Sequence, residues 1–222
     1  MPPPGLDFEA LRARMVDTQI AARGITDPRV LEAMRRVPRH LFVPPALAAS
    51  AYEDRPLPIG EGQTISQPYM VAAMTAALAP PPEARILEVG TGSGYQAAVL
   101  AQLAREVVSI ERLPRLAERA RRALESAGIT NVTVVTGDGS LGYAPRQPYD
   151  GILVAAAAPE IPRALVDQLA PGGRLVIPVG SPGLQVLTIV TRRPDGSTTT
   201  EVGEGCVFVP LVGHGGWTEP EP

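Results

Sequence analysis

The sequence predicts an α/β fold of the doubly wound kind: a mostly parallel sheet with helices on both faces, plus a helical extension at the N-terminus. Three observations carry this reading. From residue 85 onward, short apolar runs alternate with helical stretches, which is the pattern of βαβ units. Glycines occupy every second position in Val89-Gly90-Thr91-Gly92-Ser93-Gly94, between an apolar run and a helical one, giving strand, tight turn and helix in succession. Residues 6–50 have helical rather than strand periodicity.

In order along the chain, Leu6, Phe8, Leu11, Met15 and Ile20 recur at near-helical spacing, and Gly24 is placed to end that helix. Asp27 then caps a second helix with Pro28 at its first position, and Pro38 stops it. Residues 52–68, rich in Pro and Gly, read as irregular. Met70 to Ala79 reads as a short apolar helix. The stiff run Ala79-Pro80-Pro81-Pro82 marks a boundary between an extension over 1–79 and a core over 80–222. Strands are expected at 85–89, 106–110, 132–136, 150–155, 173–179, 184–192 and about 205–212, with helices at 95–104, 113–127 and 160–170. Right-handed crossovers place the helices on both faces of the sheet.

With 222 residues, the chain can bury a sizeable core. A net charge of −3 supplies no basic field for nucleic acid. Its 20 basic residues are all Arg, so there is no lysine for a Schiff base or a P-loop. The single cysteine, Cys206, lies in an apolar run and reads as a core thiol in a reducing compartment. No apolar run is long enough to span a bilayer, and Met1–Gly5 lacks the basic-then-apolar order of a signal peptide. A cytoplasmic, monomeric protein without membrane attachment or bound metal is expected.

Folds of this class bind ligands at the carboxyl ends of their strands. The glycine turn is one such end: without side chains, and tolerant of positive φ, it lets a ligand lie against backbone. Its spacing is G-x-G-x-G, with Tyr95 where the dinucleotide fingerprint needs its third glycine, which disfavours NAD and FAD. Glu111 ends the second strand, 21 residues after Gly90, near the offset at which an acid reaches ribose hydroxyls. Asp138 follows the third strand in Gly137-Asp138-Gly139, and these two acids beside a glycine loop point to ligand contact. Asp150, at the start of the fourth strand, reads equally as a turn residue or a near-site residue. His40, in the Pro38–Pro44 turn, and His214, in a glycine-rich segment, read as structural or surface residues.

These residues, with Glu88 and Pro171-Gly172-Gly173-Arg174-Leu175-Val176, resemble the class I methyltransferases that use S-adenosyl-L-methionine. The resemblance implies a Rossmann-like methyltransferase fold. It places Gly90, Thr91, Gly92, Ser93 and Gly94 against the methionine moiety, Glu111 on the ribose, and Asp138 with Gly139 at the adenine. Glu88 orders the loop backbone in this scheme. Upstream, Leu57-Pro58-Ile59-Gly60-Glu61-Gly62-Gln63-Thr64-Ile65-Ser66-Gln67-Pro68-Tyr69-Met70 is a polar, backbone-rich segment that composition alone would assign to a connector. It closely resembles the protein-L-isoaspartate O-methyltransferases, as do Val37-Pro38-Arg39-x-x-Phe42-Val43-Pro44, Ala157-Ala158-Pro159-Glu160-Ile161-Pro162 and Phe208-Val209-Pro210-Leu211. The likeness runs from about residue 10 to about 217. Ala155, Ala158 and Ser140–Tyr143 depart from the family's commoner residues, at positions that bear on peptide preference.

This second resemblance implies methyl transfer from S-adenosyl-L-methionine to the free carboxylate of L-isoaspartyl residues in damaged proteins and peptides, initiating repair through a succinimide. It makes Ser66 the active-site residue, with Thr64 beside it and Ile65, Ser66 and Gln67 as substrate contacts. A carboxylate is already ionised at pH 7, so the reaction requires no general base. It joins an anion to a cation, so a dry site that aligns the reacting atoms should suffice. Two other readings stay open: methylation of a different carboxylate, small molecule or RNA, and a non-catalytic S-adenosyl-L-methionine-binding adaptor.

Overall fold

The computed structural model describes residues 5–218. The expectations for Met1–Pro4 and for the acidic tail Glu219–Pro222 lie outside the described residues. Helix α1 (Phe8–Met15) starts on an Asp7 cap whose carboxylate accepts from Glu9 and Ala10 N–H. The expected continuous helix then changes character: Val16–Ile20 is a π turn and Ala21–Arg23 a 3₁₀ turn, closed by Gly24 at φ +95°. Helix α2 (Pro28–Arg36) begins on Asp27, whose side chain accepts from Arg29 N–H. Residues 52–68 are not wholly irregular, because β1 (Leu57–Gly60) and β2 (Gln63–Ile65) form a small antiparallel hairpin. Helix α3 (Pro68–Leu78) follows at once.

The main sheet contains β3 (Arg85–Val89), β4 (Glu106–Glu111), β5 (Val132–Thr136), β6 (Tyr149–Val154), β7 (Leu169–Ser181), β8 (Leu184–Arg192) and β9 (Thr198–Cys206) in the order β5-β4-β3-β6-β7-β8-β9. The first five of these pair in parallel, and β8 and β9 add antiparallel. Two expectations shift. The last strand is Thr198–Cys206, while 207–212 makes only an isolated bridge from Ala157 to Pro210 and another from Val212 to Trp217. The expected helix at 160–170 shortens to α6 (Arg163–Asp167), because β7 already begins at Leu169.

Alternation along the strands sends side chains to opposite faces. Leu87, Val108, Ile152 and Leu175 pack with Leu165 of α6 on one face. Ile86, Val107, Leu153 and Val176 pack on the other, with Met74 and Leu78 of α3 and Leu100 of α4 (Tyr95–Ala101). Apolar packing is therefore continuous across Ala79–Pro82. A third cluster joins α1 and α2 to Ile59 and Ile65 of the hairpin and to Leu116 and Leu124 of α5 (Pro114–Ser126). It fastens the hairpin to the helical layer beside the sheet. Strands β4 and β6 flank β3 on opposite sides, so the chain reverses its direction of travel at β3/β6. In an open α/β sheet, the crevice beyond the carboxyl ends at that point is where ligands bind.

Candidate active site

The cleft lies at that switch point and is open to solvent. One wall is the glycine turn after β3. Gly90 and Gly92 have φ of +91° and +53°, where a side chain would be strained. Gly90 N–H and Thr91 N–H donate to Ile110 O at 2.9 and 3.1 Å, which ties the turn to β4. Ala155, after β6, packs beside the turn, where a Cβ on Gly90 would make ordinary contact with its carbonyl carbon at 3.6 Å. Glu111, at the end of β4 and 6% exposed, accepts from Gly92 N–H at 2.8 Å and Leu113 N–H at 3.0 Å. A carboxylate has about four lone-pair sites, so each oxygen keeps capacity for a hydroxyl donor.

The opposite wall comes from the hairpin and the turn after it. Thr64, Ile65 and Ser66 line the same cleft as Gly90, Thr91, Gly92, Ser93, Glu111 and Gly139. Ile59 Cδ1 lies 3.5 Å from the position of a Cβ on Gly92, so hairpin and turn meet directly. Arg39, in the 3₁₀ turn Arg39–Phe42, is completely buried beneath this wall. Its Nη2 donates to Ser66 O at 2.7 Å and its Nε to Ala51 O at 2.8 Å. The guanidinium sits 4.7 Å from the ring centroid of Tyr95, another lining residue. Burial pulls the Arg39 pKa down to about 10, so it remains a cation at neutral pH.

Four of the expected site residues do not line the cleft. Glu88 is completely buried below the turn, where Ser109 Oγ donates to it; burial, more than the nearby Glu111 charge, pushes its pKa up to about 8. Gly94 faces α5, with Ala120 Cβ and Leu124 Cγ each 3.4 Å from the place of a Cβ. Gln67 is the residue before α3. Asp138 turns away: it accepts from Ser140 N–H at 2.9 Å, Ser140 Oγ at 2.6 Å and His214 N–H at 2.9 Å, with His214 Nδ1 at 3.0 Å. Burial raises the Asp138 pKa, but those hydrogen bonds outweigh it and hold the carboxyl below its ordinary value. Its neighbour Gly139 reaches the cleft, and a Cβ there would come within 2.5 Å of Val89 Cγ1. Asp150 belongs to the far end of the sheet, where it accepts from Arg85 N–H at 2.8 Å. Cys206 is half-buried at the end of β9, its thiol pKa raised to about 11 by burial.

The histidines are also away from the cleft. His40 stacks on Phe8 at 4.0 Å, with its Nδ1 2.8 Å from the Tyr52 hydroxyl. Several lining residues carry no local signal in the sequence: Tyr95, Gln96, Arg112 and Val209–Val212. The last segment arrives because Ala157 N–H donates to Val209 O and Leu211 N–H to Ala157 O, both at 2.8 Å. The nearest hint was the Phe208–Leu211 motif, which gives no position.

A mostly parallel sheet in this order, with a glycine turn at its switch point, defines a Rossmann-like fold, and the sequence relatives make it the methyltransferase form of that fold. The chain belongs to the protein-L-isoaspartate(D-aspartate) O-methyltransferase family, whose sequence model matches residues 10–216. A protein-L-isoaspartate O-methyltransferase from Methanoculleus marisnigri is 60% identical over 206 residues, spanning 93% of each chain. One from Geobacter metallireducens is 54% identical over 216 residues, covering 97% of this chain and all of its own. Among solved structures, a protein described as the Plasmodium falciparum enzyme in complex with S-adenosyl-L-homocysteine superposes with a TM-score of 0.78 at 26% identity. It covers 90% of this chain and 98% of its own.

The cleft fits a ligand of that kind. Bare turn backbone, an acid with spare lone pairs and the apolar side chains of Val89, Ile110 and Leu113 line one space.

Proposed function

We propose that this protein transfers a methyl group from S-adenosyl-L-methionine to the free carboxylate of L-isoaspartyl residues, starting their repair through a succinimide. The observation that carries this reading is the single cleft shared by Thr64–Ser66 and the Gly90–Ser93 turn. S-adenosyl-L-methionine supplies a methyl group on a positively charged sulfur. The chain's own residues bind, orient and exclude water. Glu111 holds ribose hydroxyls, the turn backbone receives the amino-acid end, and Gly139 leaves room for the base. Glu88 and Gly94 act from behind, supporting the turn. Asp138 keeps Gly139 in place through its bonds to Ser140 and the His214 turn.

The Ser66 and Thr64 hydroxyls each donate to an oxygen of the isoaspartyl carboxylate and fix its direction, while Ile65 lines the cleft between them and Gln67 carries the chain from that wall into α3. Ser66 is an orienting donor and not a nucleophile, because an ionised carboxylate attacks without help. Residues 1–79 supply the wall that selects the acceptor, and 80–222 the wall that holds the donor. The protein acts on peptides rather than nucleic acid, consistent with its charge of −3. It works as a cytoplasmic monomer; no helix among the described residues is long and apolar enough to cross a membrane.

The test uses tritiated S-adenosyl-L-methionine and two peptides that differ only in an aspartyl or isoaspartyl linkage. Base-labile label on the isoaspartyl peptide alone is the expected result. Label on both or on neither refutes the substrate, and label on neither combined with tight cofactor binding favours an adaptor.

A further inference from the structure

Arg39 is the one group beneath the cleft whose chemistry the reading above leaves unused. Its side chain is wholly buried, and no carboxylate pairs with it among the described residues. Asp54, the acid whose charge bears on it, is committed elsewhere: it pairs with Arg23 at 2.9 Å and accepts from Tyr69 N–H. Nη1 has no hydrogen-bond partner among the described residues. Burying a cation without a counter-ion is costly, and a neutral side chain of similar length would fill the same space without that cost. The charge lies one residue beneath the surface of the cleft, because two of the groups it touches, Ser66 and Tyr95, line it, while the third, Ala51 O, lies behind.

We propose that Arg39 is a positioning residue for the methyl acceptor: it fixes the Ser66 main chain and places a positive charge without a carboxylate partner behind the point where the substrate carboxylate is received. The inference rests on the function proposed above. Its physics sets a particular pattern. A cation there favours the bound carboxylate anion but gains nothing as methyl transfer removes that charge, so it acts on substrate binding more than on the chemical step. The same cation opposes a sulfonium in the cleft and is indifferent to a neutral thioether. Loss of packing alone would produce neither asymmetry.

The experiment compares wild type, Arg39→Met and Arg39→Lys. KM and kcat are measured on an isoaspartyl peptide, and affinities for S-adenosyl-L-methionine and S-adenosyl-L-homocysteine by calorimetry. Arg39→Met should raise the peptide KM by about 10- to 100-fold, the order expected for losing one unit charge near a bound anion at a partly buried site. Its kcat should change much less, and its preference should shift toward S-adenosyl-L-methionine over S-adenosyl-L-homocysteine. Arg39→Lys should keep the wild-type preference and recover part of the KM. An unchanged KM, or both ligands weakened equally, overturns the proposal. If Arg39→Met does not fold, a cycle of Arg39→Lys with Ser66→Ala decides: coupled effects on kcat/KM support action through Ser66, and additive effects overturn it. If wild type fails to methylate the peptide, the substrate reading falls, while the ligand preference still tests the buried charge.

Discussion

Ser66 owes its position to a residue distant in sequence. Its carbonyl is held by Arg39, and its neighbour Ile65 is buried in the cluster that joins hairpin to helices. A hydroxyl placed so firmly can orient a substrate oxygen without rearranging, which is the entropic advantage that bound reactants gain. Ser66→Ala should lower kcat/KM for an isoaspartyl peptide by about ten-fold, with S-adenosyl-L-homocysteine affinity unchanged by calorimetry. Unaltered turnover would remove the orienting role. Glu111 was legible in the sequence because the end of a strand fixes where its side chain must emerge. Arg39 was quoted within a motif but given no role, since nothing local says that the Pro38 turn directs it inward to Ala51 and Ser66.

At the scale of elements, the glycine turn works because each position meets a different demand. Gly90 turns the chain at φ +91° beside Ala155, and Gly94 does so at φ +89° where α5 packs against the start of α4. Gly94→Ala would place a side chain at φ +89°, where it is strained, while its Cβ would meet Ala120 and Leu124 at an ordinary contact distance of 3.4 Å. The cost should be about 1–2 kcal/mol, a fall in Tm of about 3–6 °C by calorimetry. Strands β3, β4 and β6 were readable because buried parallel strands are continuous apolar runs. The hairpin was not: Pro58 and Gly60 interrupt a strand of only four residues, and its burial comes from Ile59 and Ile65 meeting distant helices. Strand β9 was misplaced for the opposite reason. Thr198–Cys206 is polar and largely exposed at the sheet edge, while the apolar run after it is used to cover the cleft.

Over the whole molecule, Glu88 links the site to stability. Its pKa rises from 4.5 to about 8 on folding because the carboxyl is buried. The folded state therefore keeps a proton that the unfolded chain releases, and stability falls as pH rises from about 4.5 to about 8, levelling above that. Glu88→Gln should remove this decline, making the variant more stable than wild type at pH 9 by a few kcal/mol relative to their difference at pH 4. Denaturant unfolding at both pH values checks it, and parallel pH profiles would show that Glu88 does not carry the coupling.

The central claim is that hairpin and glycine turn form one site, in which an isoaspartyl carboxylate meets the methyl donor. A crystal structure with S-adenosyl-L-homocysteine and an isoaspartyl peptide tests it most directly. The account predicts the thioether against the Gly90–Ser93 turn and the carboxylate within about 2.6–3.2 Å of Ser66 Oγ. A peptide carboxylate bound away from Ser66, or a cofactor seated outside this cleft, would contradict it.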